Sequence, residues 1–194
     1  EFVKHRSKVV ANAYHQWIAA REANDYGVFK EALREIVKIS REETEILGYE
    51  GHPYNALIDQ YEKGMTVEVL DELFKDVRQQ LVDFGAKLRE RPQVDNDFLS
   101  RFYQKDKQWE YGLELLKEIG YDFDAGRQDI STHPFSINFN SNDVRVTTRI
   151  DEHDFANMTW STIHEGGHAL YEQGLPIESY GLPLGKYISL GIHE

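Results

Sequence analysis

The stretch "HEGGHALYEQG", His164 to Gly174, sets two histidines four residues apart around one glutamate and two glycines. On a helix that spacing projects both imidazoles from one face. Neutral imidazoles so placed bind one divalent cation. Glu165 is turned about 100° from His164 and lies off the ligand face, beside the position left open to water. A cation held there acts as a Lewis acid on a water and a scissile carbonyl; Glu165 takes the water's proton and passes it to the leaving amine. The chemistry is metal-assisted peptide hydrolysis. Each glycine costs a helix about 1 kcal/mol relative to alanine, so Gly166 and Gly167 oppose local propensity, as functional sites often do. They also clear room for a substrate backbone or a neighbouring strand. The flanking Trp160, Ile163, Ala169 and Leu170 predict a buried helix.

A third ligand is needed, and with no cysteine in the chain it is a histidine or a carboxylate. The metzincin pattern fails, because Tyr171 and Gly174 stand where it requires glycine and histidine. Glu172 is roughly 12 Å along the helix axis from His164, which suits an exposed or supporting carboxylate better than a ligand. Glu178 would need a sharp reversal just after the helix stop. Glu194 lies beyond a loop containing Pro176 and Pro183, far enough on for a second segment to return. Two histidines and a distant glutamate form a known catalytic zinc set, which favours Glu194, with its neighbour His193 as the competitor.

The positioning elements are mostly helical. Residues 1–24 show apolar spacing through Val3, Val10, Tyr14, Trp17 and Ile18; a second helix follows through Phe29, Leu33, Ile36, Val37 and Ile39 to Gly48. Residues 51–64 form a short helical segment. Thr66 caps a helix with an apolar face of Leu70, Leu73, Phe74, Val77, Leu81, Phe84 and Leu88. Another helix is predicted over 97–119. Then "PFSINFN" and "VRVTTRI" alternate about a turn at "SND", which predicts a hairpin. The histidine helix follows from Asp154 to Gly174. The fold class is therefore mainly α, a multi-helix zincin-like fragment with a short β-hairpin before the HExxH helix. It is expected as one catalytic-domain piece, with a helical lobe over 1–125 and the hairpin and metal-binding helix over 126–194.

The net charge of -12 argues against nucleic acid or an anionic membrane as partner. No apolar run is long enough to span a bilayer, and no signal peptide is visible. The chain opens "EFVKHRSKVV" without Met and stops on "SLGIHE", so both ends read as cuts through a longer protein.

The motif "HEGGHALYEQGLP" is preceded by "HPF" (133–135) and "DVRVTTR" (143–149) and followed by "HE" (193–194). In order and spacing this set resembles the carboxypeptidase Taq family of metallocarboxypeptidases, and the resemblance covers the whole chain. It implies a cytoplasmic, mostly helical, homodimeric enzyme that releases single C-terminal amino acids from peptides with broad specificity, using zinc or cobalt. It assigns the metal to His164, His168 and Glu194 and the general base to Glu165. It places His133, Asp143, Arg145 and Thr147 near the active site as candidates for binding substrate. Arg145 could grip a carboxylate; equally, it could pair with Asp143 on one strand face. The cut ends imply that the fragment itself is impaired. A thimet-type oligopeptidase, which cuts internally, and a non-catalytic helical interaction module are the alternatives.

Overall fold

The structure, a computed structural model, describes residues 1–194. It divides into two compact units, Glu1–Phe84 and Gly85–Glu194. Seven α-helices and one three-stranded sheet make it mainly helical, as the sequence predicts. No helix is long and apolar enough to cross a membrane.

In the first unit, α1 (Phe2–Ala23) and α2 (Tyr26–Leu47) form a helical hairpin. Asn24 takes the left-handed conformation that asparagine tolerates. Asp25 then caps α2, its side chain accepting from the Gly27 amide at 2.7 Å. The buried apolar positions are the small Ala13, Ala20 and Ala32, which let the two helices approach closely, together with Ile39. Arg6 donates to Glu43 at 2.9 Å across the hairpin. The stripe expected on α1 is about one residue off: Val3 is 73% exposed, and Val10 and Tyr14 are also exposed. Side-chain size misled the periodicity, because alanines occupy the packed face. A four-residue α3 (Asn55–Ile58) follows, and Asn55 accepts from the Val67 amide at the start of α4 (Val67–Arg89). The apolar stripe of α4 exists but is solvent-exposed at Leu73, Phe74, Val77, Leu81, Phe84 and Leu88.

The second unit holds the hairpin and the histidine helix. The helix predicted over 97–119 is broken: a 3-10 turn spans Asp97–Ser100, and α5 runs only from Lys105 to Glu118. The residues between turn away from helical bonding. The Tyr103 amide donates to the Glu152 carbonyl at 2.8 Å, and the Gln108 side chain donates to the carbonyls of Tyr103 and Asp151. Tyr103 also packs on Phe155, ring centroids 4.8 Å apart. Tertiary bonding here overrides local propensity.

The hairpin is present as β2 (Ser136–Asn140) and β3 (Asp143–Thr148), antiparallel, with Ser136 opposite Val146 and Asn138 opposite Val144. A third strand, β1 (Gln128–Ile130), lies parallel to β3 on its other side and was not predicted. At three residues it offers too short an alternation to read. α6 (Phe155–Gln173) packs on the sheet. The core between α5, β3 and α6 contains Leu116, Tyr121, Val144, Val146 and Ala169. α5, grouped by sequence with the helical lobe, thus belongs to the packing of the metal-motif unit.

Candidate metal centre

Helix α6 is fixed at several points. Asp154 caps its first turn, accepting from the Asn157 amide at 3.1 Å. Thr162 donates to Thr148 of β3 at 3.2 Å. At its end, Gln173 donates to the Asp122 carbonyl at 2.8 Å and accepts from the Asp122 amide at 3.0 Å. The two glycines have different reasons. A Cβ on Gly166 would lie 2.5 Å from Ile119 Cδ1 and 2.9 Å from Leu116 Cδ2, so Gly166 lets α6 press onto the α5 side. The close neighbour is therefore helical packing rather than a strand. Gly167 faces open space. Nor is the helix buried all round, since Trp160 is 68% exposed.

On this helix His164 Nε2 and His168 Nε2 stand 3.1 Å apart. After Gln173 the chain passes through two 3-10 turns, Ile177–Ser179 and Pro183–Gly185, into a single helical turn, α7 (Leu190–His193). That turn brings Glu194 Oε2 to 4.0 Å from His164 Nε2 and 3.8 Å from His168 Nε2. One ligating atom from each of the three residues thus falls within 4.8 Å of the others. Donors about 2.0–2.1 Å from a tetrahedral zinc lie about 3.3 Å from one another, so the set fits a divalent ion after small side-chain adjustments. Burial, then the neighbouring His164, lowers the pKa of His168, which favours the neutral imidazole a metal requires.

Glu165 is buried and points off the ligand face. Burial raises its pKa, opposed by His164 and by a hydrogen bond from Ser136 of β2 and reinforced by the Glu194 carboxylate. The buried Glu172 is not among the three convergent residues. It accepts from Asn138 Nδ2 at 2.6 Å and faces His193 Nε2 at 3.6 Å. The His193 ring lies beside His168, centroids 4.6 Å apart, with its Nε2 facing Glu172.

Three of the remaining candidates lie away from this cluster. Val144, Val146 and Thr148 of β3 face α6, so alternation puts Asp143, Arg145 and Thr147 on the opposite face. There Arg145 donates to Asp143 through Nε at 2.7 Å and Nη2 at 2.8 Å, and it lies over the Phe139 ring. Thr147 Oγ1 accepts from the Phe135 amide at 2.9 Å and donates to the Phe135 carbonyl at 3.1 Å, joining the two signature segments. His133 is exposed in the loop before Pro134, its carbonyl accepting from Ser131 Oγ.

Sequence reasoning missed Ser136 and Asn138. The available signal was an inverted strand: in "SINFN" the apolar Ile137 and Phe139 are exposed, while the polar Asn138 between them reaches Glu172 of α6.

The sequence model of the carboxypeptidase Taq (M32) metallopeptidases matches residues 1–194. Carboxypeptidase 1 of Bacillus subtilis (strain 168) is 40% identical over 179 residues, covering 92% of this chain and 36% of that protein. Thermostable carboxypeptidase 1 of Thermus thermophilus is 40% identical over 190 residues, covering 92% and 37%. The crystal structure of the M32 carboxypeptidase from Deinococcus radiodurans R1 superposes with a TM-score of 0.83 at 36% identity, over 100% of this chain and 39% of that one. The chain thus spans about two fifths of the length of the relatives it matches. By a match that runs its whole length, this chain belongs to the carboxypeptidase Taq (M32) family of metallopeptidases.

Proposed function

We propose that these 194 residues carry the metal-binding and proton-transfer groups of a metal-dependent carboxypeptidase that removes single amino acids from peptide C-termini with broad specificity. The observation that carries the reading is the convergence of His164, His168 and Glu194 beside the buried Glu165. The three residues would hold one zinc or cobalt ion. When bound, the ion supplies a Lewis acid that makes water a nucleophile at neutral pH. Glu165 accepts the attacking water's proton on a carboxylate oxygen and delivers it to the leaving amine nitrogen. Its burial favours the protonated form between those two transfers. Arg145, tied to Asp143 on the far face of the sheet, and Thr147, tied to Phe135, are assigned to structure.

The whole-chain family match favours this reading over the thimet-type oligopeptidase and over the non-catalytic module. The family resemblance further supports a cytoplasmic homodimer acting on peptides. Two of the three ligands are well exposed, His164 at 56% and Glu194 at 57% of the side chain. The 194 residues alone therefore hold metal weakly and turn over slowly, with full activity belonging to a protein of the relatives' length. Mass spectrometry of a peptide digested by the zinc- or cobalt-loaded protein tests the activity, with the Bacillus subtilis carboxypeptidase 1 run alongside. A ladder of products shortened singly from the C-terminus is expected. Internal cleavage would sink the carboxypeptidase assignment.

A further inference from the structure

Glu172 lies one helical turn beyond His168 and is 5% exposed. A carboxylate so buried is costly unless it is partnered. Its Oε2 accepts from Asn138 Nδ2 at 2.6 Å, and its Oε1 faces His193 Nε2 at 3.6 Å. That nitrogen is buried and makes no hydrogen bond, so the carboxylate is its facing partner. The His193 ring is boxed in on its other sides. Tyr187 stacks on it at 4.8 Å with the planes 5° apart, while Tyr171 and His168 lie at 5.1 and 4.6 Å.

The turn that carries His193 has little else to fix it. α7 is four residues long, too short to persist on its own hydrogen bonds. The side chains of its neighbours Ile188 and Ile192 are 80% and 69% exposed, and Ile188 is tied to α6 through its amide, which donates to the Tyr171 hydroxyl at 3.3 Å. The side chain of His193, only 11% exposed, is the buried anchor of this turn. Glu194 is the next residue, so the place of its carboxylate follows from the place of that ring.

We propose that Glu172 and His193 form a positioning pair that sets the Glu194 carboxylate against the two histidines, with Asn138 tying the pair to β2. The proposal rests on the reading of His164, His168 and Glu194 as a metal site. Supporting partners of this kind are commonly worth about ten- to a hundredfold in metal affinity.

Cobalt(II) titration of the chain, followed by the visible absorption of the bound ion, tests it, with far-ultraviolet circular dichroism to confirm folding. Glu172→Ala and His193→Phe should each weaken cobalt binding by about ten- to a hundredfold and alter the visible band. Phenylalanine keeps the ring stack and removes the nitrogen. The double variant should bind no more weakly than the weaker single one, because both changes break the same contact. Glu172→Gln, which still accepts from Asn138, should recover most of the affinity. Glu178→Ala, on an exposed turn, should bind as the unaltered chain does. Folded Glu172→Ala and His193→Phe variants with unchanged affinity and spectrum would overturn the pair, as would losses that multiply in the double variant. If Glu172→Ala does not fold, His193→Phe and Asn138→Ala decide by the same readout. His168→Ala separates the two levels: binding retained there overturns the metal site and the pair with it, whereas binding lost there but kept in Glu172→Ala and His193→Phe overturns the pair alone.

Discussion

Glu165 and His164 are neighbours in sequence with opposite surroundings: the carboxylate is buried and the imidazole exposed. That difference follows from the 100° step of the helix, which turns Glu165 towards Ser136 of β2 and leaves His164 facing outward. A proton acceptor beside the ligands, but not among them, can be removed without removing the metal. Glu165→Gln is therefore expected to bind zinc as the unaltered protein does while losing about 10²- to 10⁴-fold in kcat. Peptide hydrolysis by metal-loaded protein of the relatives' length checks this, and near-normal turnover would withdraw the base assignment. Thr147 makes a different case. Its hydroxyl joins Phe135 to β3 by two hydrogen bonds, and Thr147→Val removes both while nearly preserving shape. The Phe135 amide and carbonyl then lose this partner, at a cost of about 1–3 kcal/mol. Urea unfolding should show a lower midpoint with no direct change at the metal site; an unchanged midpoint would contradict the role.

Helix α6 shows what could be read from sequence and what could not. Its start at Asp154, its end near Gly174 and its two histidines on one face all follow from local rules of capping and period, and all are present. Residues 97–119 obeyed the same rules and failed, because the backbone around Tyr103 bonds to Glu152, a partner far along the chain. Glu172 reads from the sequence as either an exposed or a supporting carboxylate; its burial and its neighbours Asn138 and His193 were not legible, since they come from two other elements. The glycines were legible as a conflict but not as two separate ones. Gly167 meets nothing, so Gly167→Ala should stabilise α6 by up to about 1 kcal/mol and raise Tm by about 2–4 °C. Gly166→Val drives a side chain against Leu116 and Ile119 and should cost about 1–3 kcal/mol. Thermal unfolding of the two variants distinguishes the positions. Equal shifts of one sign would show that neither contact matters.

At the scale of the whole molecule, Tyr121 links the region after α5, the core and the sheet. Its ring lies in the core, 4% exposed, and its hydroxyl donates to the Val144 carbonyl of β3 at 2.5 Å. Gly126 keeps the space clear, since any Cβ there would collide with that carbonyl and with the phenol oxygen. Burial, partly offset by a hydrogen bond to the Arg127 backbone and reinforced by Asp143 and Asp122, pushes the phenol up to about 12. In the unfolded chain it titrates near about 10. Between these values the unfolded state has released the proton and the folded state keeps it, so the folded state binds more protons and stability falls as pH rises. The contribution is complete below about pH 10 and lost progressively towards 12, at about 1.4 kcal/mol per unit and about 2–3 kcal/mol in all. Other tyrosines and lysines titrate in the same window, so the informative quantity is a difference between two proteins. Tyr121→Phe should be less stable at pH 8 by about 1–2 kcal/mol, having left the Val144 carbonyl without this donor. As pH rises from 9.5 to 11.5 the gap to the unaltered chain should close, because only the latter still has this phenol to ionise. Urea denaturation across that range measures it, and a gap independent of pH would mean that the buried hydroxyl of Tyr121 is not what couples the fold to alkaline pH.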